Sequence, residues 1–282
     1  MTGPASVDHT DDAVTVAGRW TYRWGARRRP NLHPVTTPAG ALLTRDEPED
    51  HPWHHGLWFT IKFVDGDNFW EEMAPYGVLR HDGPPEVEVR QDGSVRLRGA
   101  LAWIRPDRET VAIEEQRELA HVPIDDDAYA IDLDTTLVPI TDVRLDRTPF
   151  TTWGGYGGLT FRGSGELVDS QILVADGSEH ERVLGVPTTW CDITGTVDGA
   201  AAGIALFDHP GNRRHPVPFY GSTRADTYGE GWSNFLNAAF LWDEPMDLAA
   251  GEALRVRHRV VVHDGRWDAA RLDEAWTAWA EG

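Results

Sequence analysis

The segment PEVEVRQDGSVRLRGALAWI (Pro85–Ile104) alternates apolar and polar residues on both sides of an Asp92-Gly93 pair. A period of two puts successive side chains on opposite faces of a strand, and Asp-Gly between two such runs is a strong short-range hairpin signal. The same pattern recurs at regular spacing. Thr110–Val122 and Tyr129–Ile140 read as strands, and in the second Tyr129, Ile131, Leu133, Thr135 and Leu137 share one face while Asp132 and Asp134 lie on the other. GGLTFRG, ERVLGVPTTWCDI, AAGIALFDH, FLNAAFLW and LRVRHRVVVHDG continue the series, separated by turns drawn from 28 Gly and 18 Pro. Many short strands with turn residues between them predict an all-β fold, a large antiparallel β-sandwich. One helix is expected, at the end: in Arg266–Gly282, Trp267, Leu272, Trp276 and Trp279 fall near one face of a 3.6-residue period and would pack on a sheet. No internal repeat, linker or composition break divides the 282 residues, so a single domain over 1–282 is expected.

Charge excludes whole classes of partner. With 46 acidic and 26 basic residues, a net charge of −20 repels nucleic-acid backbones and anionic membrane surfaces. No window approaches the roughly 18 apolar residues of a membrane span. The opening MTGPASVDHTDD lacks the basic and apolar regions of a signal peptide. A cytoplasmic protein is expected, with homo-oligomer formation left open. The single Cys191 excludes an internal disulfide and reads as a buried thiol. Thirteen tryptophans serve a core first, but flat aromatic faces also suit sugar rings.

EDHPWHHGLWF (Glu49–Phe59) holds three histidines within five residues, beside an acid and before an apolar run. From Leu57 onward the odd positions Leu57, Phe59, Ile61 and Phe63 are apolar, while Trp58, Thr60 and Lys62 occupy the even ones. That parity places His54 with Trp58 and His55 with the core face, with Gly56 as a bend. His51 precedes Pro52 in an extended loop. These imidazoles suit proton transfer near neutral pH. They also suit a divalent metal held by His51, His54 and a distant ligand, although the spacing matches no established metal motif. The structural alternative is that they cap strands.

Two further stretches could contribute. FDHPGNRRHPVPFYGSTR (Phe207–Arg224) gathers cations in an acidic chain, with His209 and Arg224 beside strand ends as the candidates for oxygen recognition; a solvated turn is the alternative. In DGDNFWEE, Glu71 and Glu72 would point to opposite faces, so at most one lines a cleft, and a solvated edge is the ordinary reading. TTWGGYGGLTFRG (Thr151–Gly163) has glycines that allow close backbone approach but no phosphate-loop pattern. No G-x-S-x-G elbow appears, which removes the usual acyl-transfer arrangement.

RPNLHPVTTPAGALLTRDEPEDHPWHHGLWFTIKFVDGDNFWEE (Arg29–Glu72) resembles the soluble bacterial family labelled "methane oxygenase PmoA", and the resemblance continues in GGLTFRGS, WSNFLNAAFLWDEP and LAAGEALRVRHRVVVHDG. It implies a sandwich akin to the galactose-mutarotase superfamily, often encoded near sugar oxidoreductases. His33, Arg45, His51 and His54 occupy the family motif. At the position of His55 the family often carries another basic residue, which implies substrate contact for His55 over metal ligation. A hydrophilic chain without a span does not suit the membrane-embedded oxygenase that the label names.

The function expected is acid/base chemistry on a sugar or an oxidised (keto) glycoside: epimerisation, β-elimination or hydration. His51, His54 and His209 are the candidate catalytic groups, with His33, Arg45, His55, Trp58, Glu71 and Arg224 contacting a small carbohydrate. No cofactor is required by the sequence, and a divalent metal stays open. A non-catalytic sugar-binding module and a metal-dependent oxygenase are the alternatives. Strand parity further predicts that Trp58→Ala weakens ligand binding more than folding.

Overall fold

A computed structural model describes residues 4–25, 29–148, 155–224 and 232–282. Two large antiparallel sheets dominate it, one of nine strands and one of ten, with a small sheet of four strands beside them. The expected hairpin forms between Glu86–Val89 and Val95–Ile104. Its connection is longer than the two residues Asp92-Gly93: Arg90 and Ser94 close it, and the Asp92 carboxylate accepts from the Ser94 amide at 2.9 Å. Val111–Asp125 and Ala128–Pro139 follow as a long hairpin with Leu119 opposite Leu133. Tyr129, Ile131, Leu133, Thr135 and Leu137 are all buried, as the alternation requires.

The core lies between the two large sheets. The Leu57–Ile61 strand sends Leu57, Phe59 and Ile61 inward, Gly157–Arg162 sends Leu159 and Phe161, and both meet Trp103, Leu206 and Val260 of the ten-stranded sheet. The run ERVLGVPTTWCDI divides, because Arg182–Pro187 joins the nine-stranded sheet and Trp190–Val197 the ten-stranded one. FLNAAFLW stops being strand at Ala238. Four N-terminal strands within Val7–Val35, which no clear alternation announces, extend the nine-stranded sheet.

The helix Ala269–Ala280 begins at Asp268, whose carboxylate accepts from the Arg271 amide at 2.9 Å. It buries Leu272 and lays Trp276 and Trp279 on the outer face of the ten-stranded sheet, against Trp190, Ala205 and Phe207. No helix among the described residues is long and apolar enough to cross a membrane.

The outer face of the nine-stranded sheet is covered differently. Asp65 and Gly66 turn the chain in the left-handed region between Phe63–Val64 and Asp67–Asn68. The chain then runs back across that face, with the Phe69 amide on the Lys62 carbonyl and the Thr60 hydroxyl on the Phe69 carbonyl. What this return leaves uncovered is a cavity.

Candidate functional site

Alternation builds the floor of the cavity. Arg162, Phe235, Ser222 and Arg182 lie directly opposite one another on four neighbouring strands, and all four line it. Their chain neighbours Phe161, Leu236, Gly221 and Val183 point away toward the core side. Tyr220 and Arg224 share the parity of Ser222 on Pro218–Arg224 and also line the cavity. Trp53, Trp70 and Tyr156 form aromatic walls, with Trp70 and Tyr156 stacked at 5.2 Å. The cavity measures about 350 Å³, at the small end of the range for ligand pockets.

The histidine loop enters at one end. Gly56 has φ 70°, and a Cβ there would lie 2.7 Å from the Leu32 carbonyl oxygen, so the bend ahead of Leu57 needs glycine. Backbone bonds from Glu47 to His54, from Gly56 to Arg45 and from Arg162 to Gly56 tie the loop to its neighbours. His51 and His54 then stack at 4.5 Å, with Trp58 and Phe235 within 5.4 Å of the His54 ring. His51 Nδ1 sits 2.9 Å from the Asp50 carboxylate, which also accepts from the Arg162 guanidinium at 2.7 Å. Burial pushes the Asp50 carboxyl up, but the bonds from Arg162 and His51 outweigh it and hold it below its ordinary value. An ionised carboxylate only accepts, so in neutral His51 the proton belongs on Nδ1 and the lone pair on Nε2.

His54 differs in kind. It is 5% exposed, and burial holds its imidazole well below the usual value, reinforced by the guanidinium charges of Arg162 and Arg29. It is neutral. Its Nδ1 is buried with no hydrogen-bond partner among the described residues. An under-satisfied acceptor is easier to tolerate than an orphaned N–H, which favours the Nε2–H tautomer.

Lys62 and Glu71 form an ion pair on the cavity wall, and burial pulls the Lys62 ammonium below its ordinary range although Glu71 opposes it. Behind the wall, buried Arg29 donates to the carbonyls of Trp53, Phe69 and Trp70, tying together the segments that carry the two tryptophans. Burial lowers the Arg29 guanidinium to about 10.

Of the residues expected at the site, His51, His54, Glu71 and Arg224 line this cavity. His209 does not: it belongs to the end of the ten-stranded sheet, with its ring 5.0 Å from that of Trp279. The stretch that carries it crosses between sheets. Asp208 ends one strand of the ten-stranded sheet and holds His215 at 2.7 Å, Arg214 binds three backbone carbonyls, and only Pro218–Arg224 reaches the cavity. His33 bonds Thr44 at 2.9 Å outside the cavity wall, and exposed Arg45 lies outside it too. Trp58 is on the expected face but is 1% exposed, sealed under Trp70 and His54, so it supports the wall from behind.

His55 is also displaced from the cavity. Its Nδ1 is 2.9 Å from Asp46 and its Nε2 3.2 Å from Glu72, the acid that faces away from Glu71's side. Burial lowers its pKa, but the two carboxylates outweigh this and raise it. Asp46, Glu47 and His55 bring ligand atoms within 4.8 Å of one another, the arrangement a metal would use. The fit is poor: two ionised carboxylates make both ring nitrogens donors, and an imidazolium offers no lone pair to a metal. Because the folded state holds this proton more tightly than an unfolded histidine of pKa about 6.5, the pair's contribution is complete below that value and is lost as pH rises through the folded value. Melting temperature is expected to show this fall on titration from pH 6 upward, and His55→Gln to remove it.

Asp50 and Arg162 were not anticipated as site residues, nor were Lys62, Tyr156, Tyr220 and Ser222. The signals existed in part: Asp50 is the acid beside His51, and Ser222 and Tyr220 share period-two parity with Arg224. The lead-in Thr151–Gly154 of the glycine-rich stretch lies outside the described residues.

No curated protein matches the chain in sequence. Among solved structures it is similar to a galactose mutarotase related enzyme from Lactobacillus acidophilus, with 6% identity, coverage of 94% of this chain and 99% of that chain, and a TM-score of 0.46. It is also similar to a GalM/aldose epimerase homologue from C. elegans, with 10% identity, coverage of 94% and 100%, and a TM-score of 0.38. At this distance neither likeness carries chemistry to this chain. Sequence similarity is decisive at the level of family: matching over residues 12–277, the chain belongs to the family of unknown function DUF6807.

Proposed function

We propose that the cavity is the active site of a carbohydrate-active enzyme that moves a proton next to a sugar carbonyl. The observation that carries this reading is the ordered pair of imidazoles: His51 oriented by Asp50, stacked on a neutral His54, within aromatic walls. In this reading His51 Nε2 takes the proton from carbon, and the electron pair moves to the carbonyl oxygen. His54 Nε2–H and the cations Lys62 and Arg162 stabilise the oxygen charge that develops. Protonation of the opposite face from solvent gives epimerisation. Return of the electron pair from oxygen with expulsion of a β-substituent gives elimination, and addition of water to that product gives hydration; all three pass through the same enolate. The flat faces of Trp53, Trp70 and Tyr156 suit the apolar side of a sugar ring.

Solvent exchange tests the reading directly. Aldoses and keto-glycosides incubated with the protein in D₂O are expected to gain deuterium at the carbon next to the carbonyl, followed by NMR. Asp50→Asn is expected to slow exchange by about tenfold or more and to shift its pH profile, because the amide no longer dictates which ring nitrogen carries the proton. Sugars that bind without exchanging any proton would replace the enzyme with a sugar-binding module.

A further inference from the structure

The two ends of the cavity differ in how their charge is met. At the histidine end each cation has a counter-ion in contact, Lys62 with Glu71 and Arg162 with Asp50. At the opposite end Ser222 stands between Arg182, directly across from it, and Arg224, two residues along its own strand. The Arg182 side chain is exposed and makes no hydrogen bond or ion pair among the described residues. Arg224 lies 4.5 Å from the Trp232 ring centre, which supports the guanidinium plane and leaves its N–H edges to bond elsewhere. Its carboxylate neighbour is Glu181 at 3.4 Å, and both side chains are exposed, so that contact is weak and exchangeable. Diagonal neighbours on adjacent strands are about 7–8 Å apart, within reach of a common target for two arginine side chains.

We infer that this end is a subsite for an anionic substituent, a carboxylate or a phosphate, so that the substrate is an acidic sugar derivative. The inference rests on the reading of the cavity as a carbohydrate site. Three strand spacings of about 4.8 Å separate the Arg162 and Arg182 positions, room for a sugar ring to lie between the imidazoles and the arginines. A chain with net charge −20 repels anions at long range. Against that background, Arg182 without a side-chain partner and Arg224 with one weak, exposed partner make a local positive end to the cavity, where an anion meets short-range attraction. Guanidinium donors match both candidate anions in bidentate fashion.

Calorimetric titration of the full chain with D-glucuronate, D-glucose 6-phosphate and D-glucose tests this, and the two acidic probes separate carboxylate from phosphate. At least one acidic sugar is expected to bind about tenfold or more tightly than glucose, as charge-assisted bonds provide. The Arg182→Gln/Arg224→Gln double variant is expected to bring its affinity to the glucose level. Arg182→Gln alone, which breaks no bond among the described residues, is expected to lose part of the preference and decides the matter if the double variant unfolds. Equal binding of acidic and neutral sugars, no binding of either acid, or a preference intact in the variants would overturn the subsite. Absence of proton exchange in the unchanged protein, with acid selectivity present, would count against the proton-transfer reading alone.

Discussion

His51→Ala is expected to lower proton exchange by about 10²–10⁴-fold, the range lost when a positioned acid or base is removed, while leaving the urea midpoint close to that of the unchanged protein. The two expectations have separate physical sources. His51 is half-buried at the cavity edge, and its Nδ1 bond is to a carboxylate that Arg162 continues to hold by two contacts at 2.9 and 2.7 Å. Deleting the ring therefore leaves no buried charge without a partner. Turnover has no such substitute, because His54 is kept neutral by burial and is set deeper. Exchange kinetics alongside a urea melt measure both quantities. A variant that retained exchange within a few-fold of the unchanged protein would move the base elsewhere.

Trp58→Ala is expected to cost about 3–5 kcal/mol of stability, the usual range for removing a large buried aromatic. The indole is 1% exposed and packs at 5.6 Å from Trp70 and 5.1 Å from His54. Trp53→Ala is expected to do the opposite. Its ring is half-buried and lines the cavity, so sugar affinity should fall more than stability. This reverses the role that strand parity suggests for Trp58. Urea denaturation and ligand titration of both variants separate a covered wall from an open one; unchanged stability in Trp58→Ala would show that the segment through Trp70 does not close over it in solution.

The reason for that reversal applies across the site. Period-two alternation decides which face of a strand a side chain occupies, and it places Trp58 and His54 together on the outer face of the nine-stranded sheet. Whether a second layer covers that face depends on where a distant turn sends the chain, here Asp65-Gly66 returning Phe69–Glu71 over Thr60. The same limit explains His209. Its stretch is cationic throughout, but it crosses between the two sheets, and only the half after Pro218 faces the cavity. His55 is buried as expected, yet its partners Asp46 and Glu72 come from either side of it in the chain and occupy both nitrogens.

From the sequence come the antiparallel strands, the terminal helix and the histidine loop, because each is set by neighbours a few residues apart: alternation, turn residues and a 3.6-residue stripe. The cavity comes from tertiary structure alone. Arg162, Phe235, Ser222 and Arg182 become a row only when four strands far apart in the chain pair in one register. Asp50 gains its place only when the Arg162 guanidinium reaches it across 112 positions of sequence. Local pattern carries no information about such pairings, because what selects them is the burial of the opposite, apolar faces of those strands in the shared core.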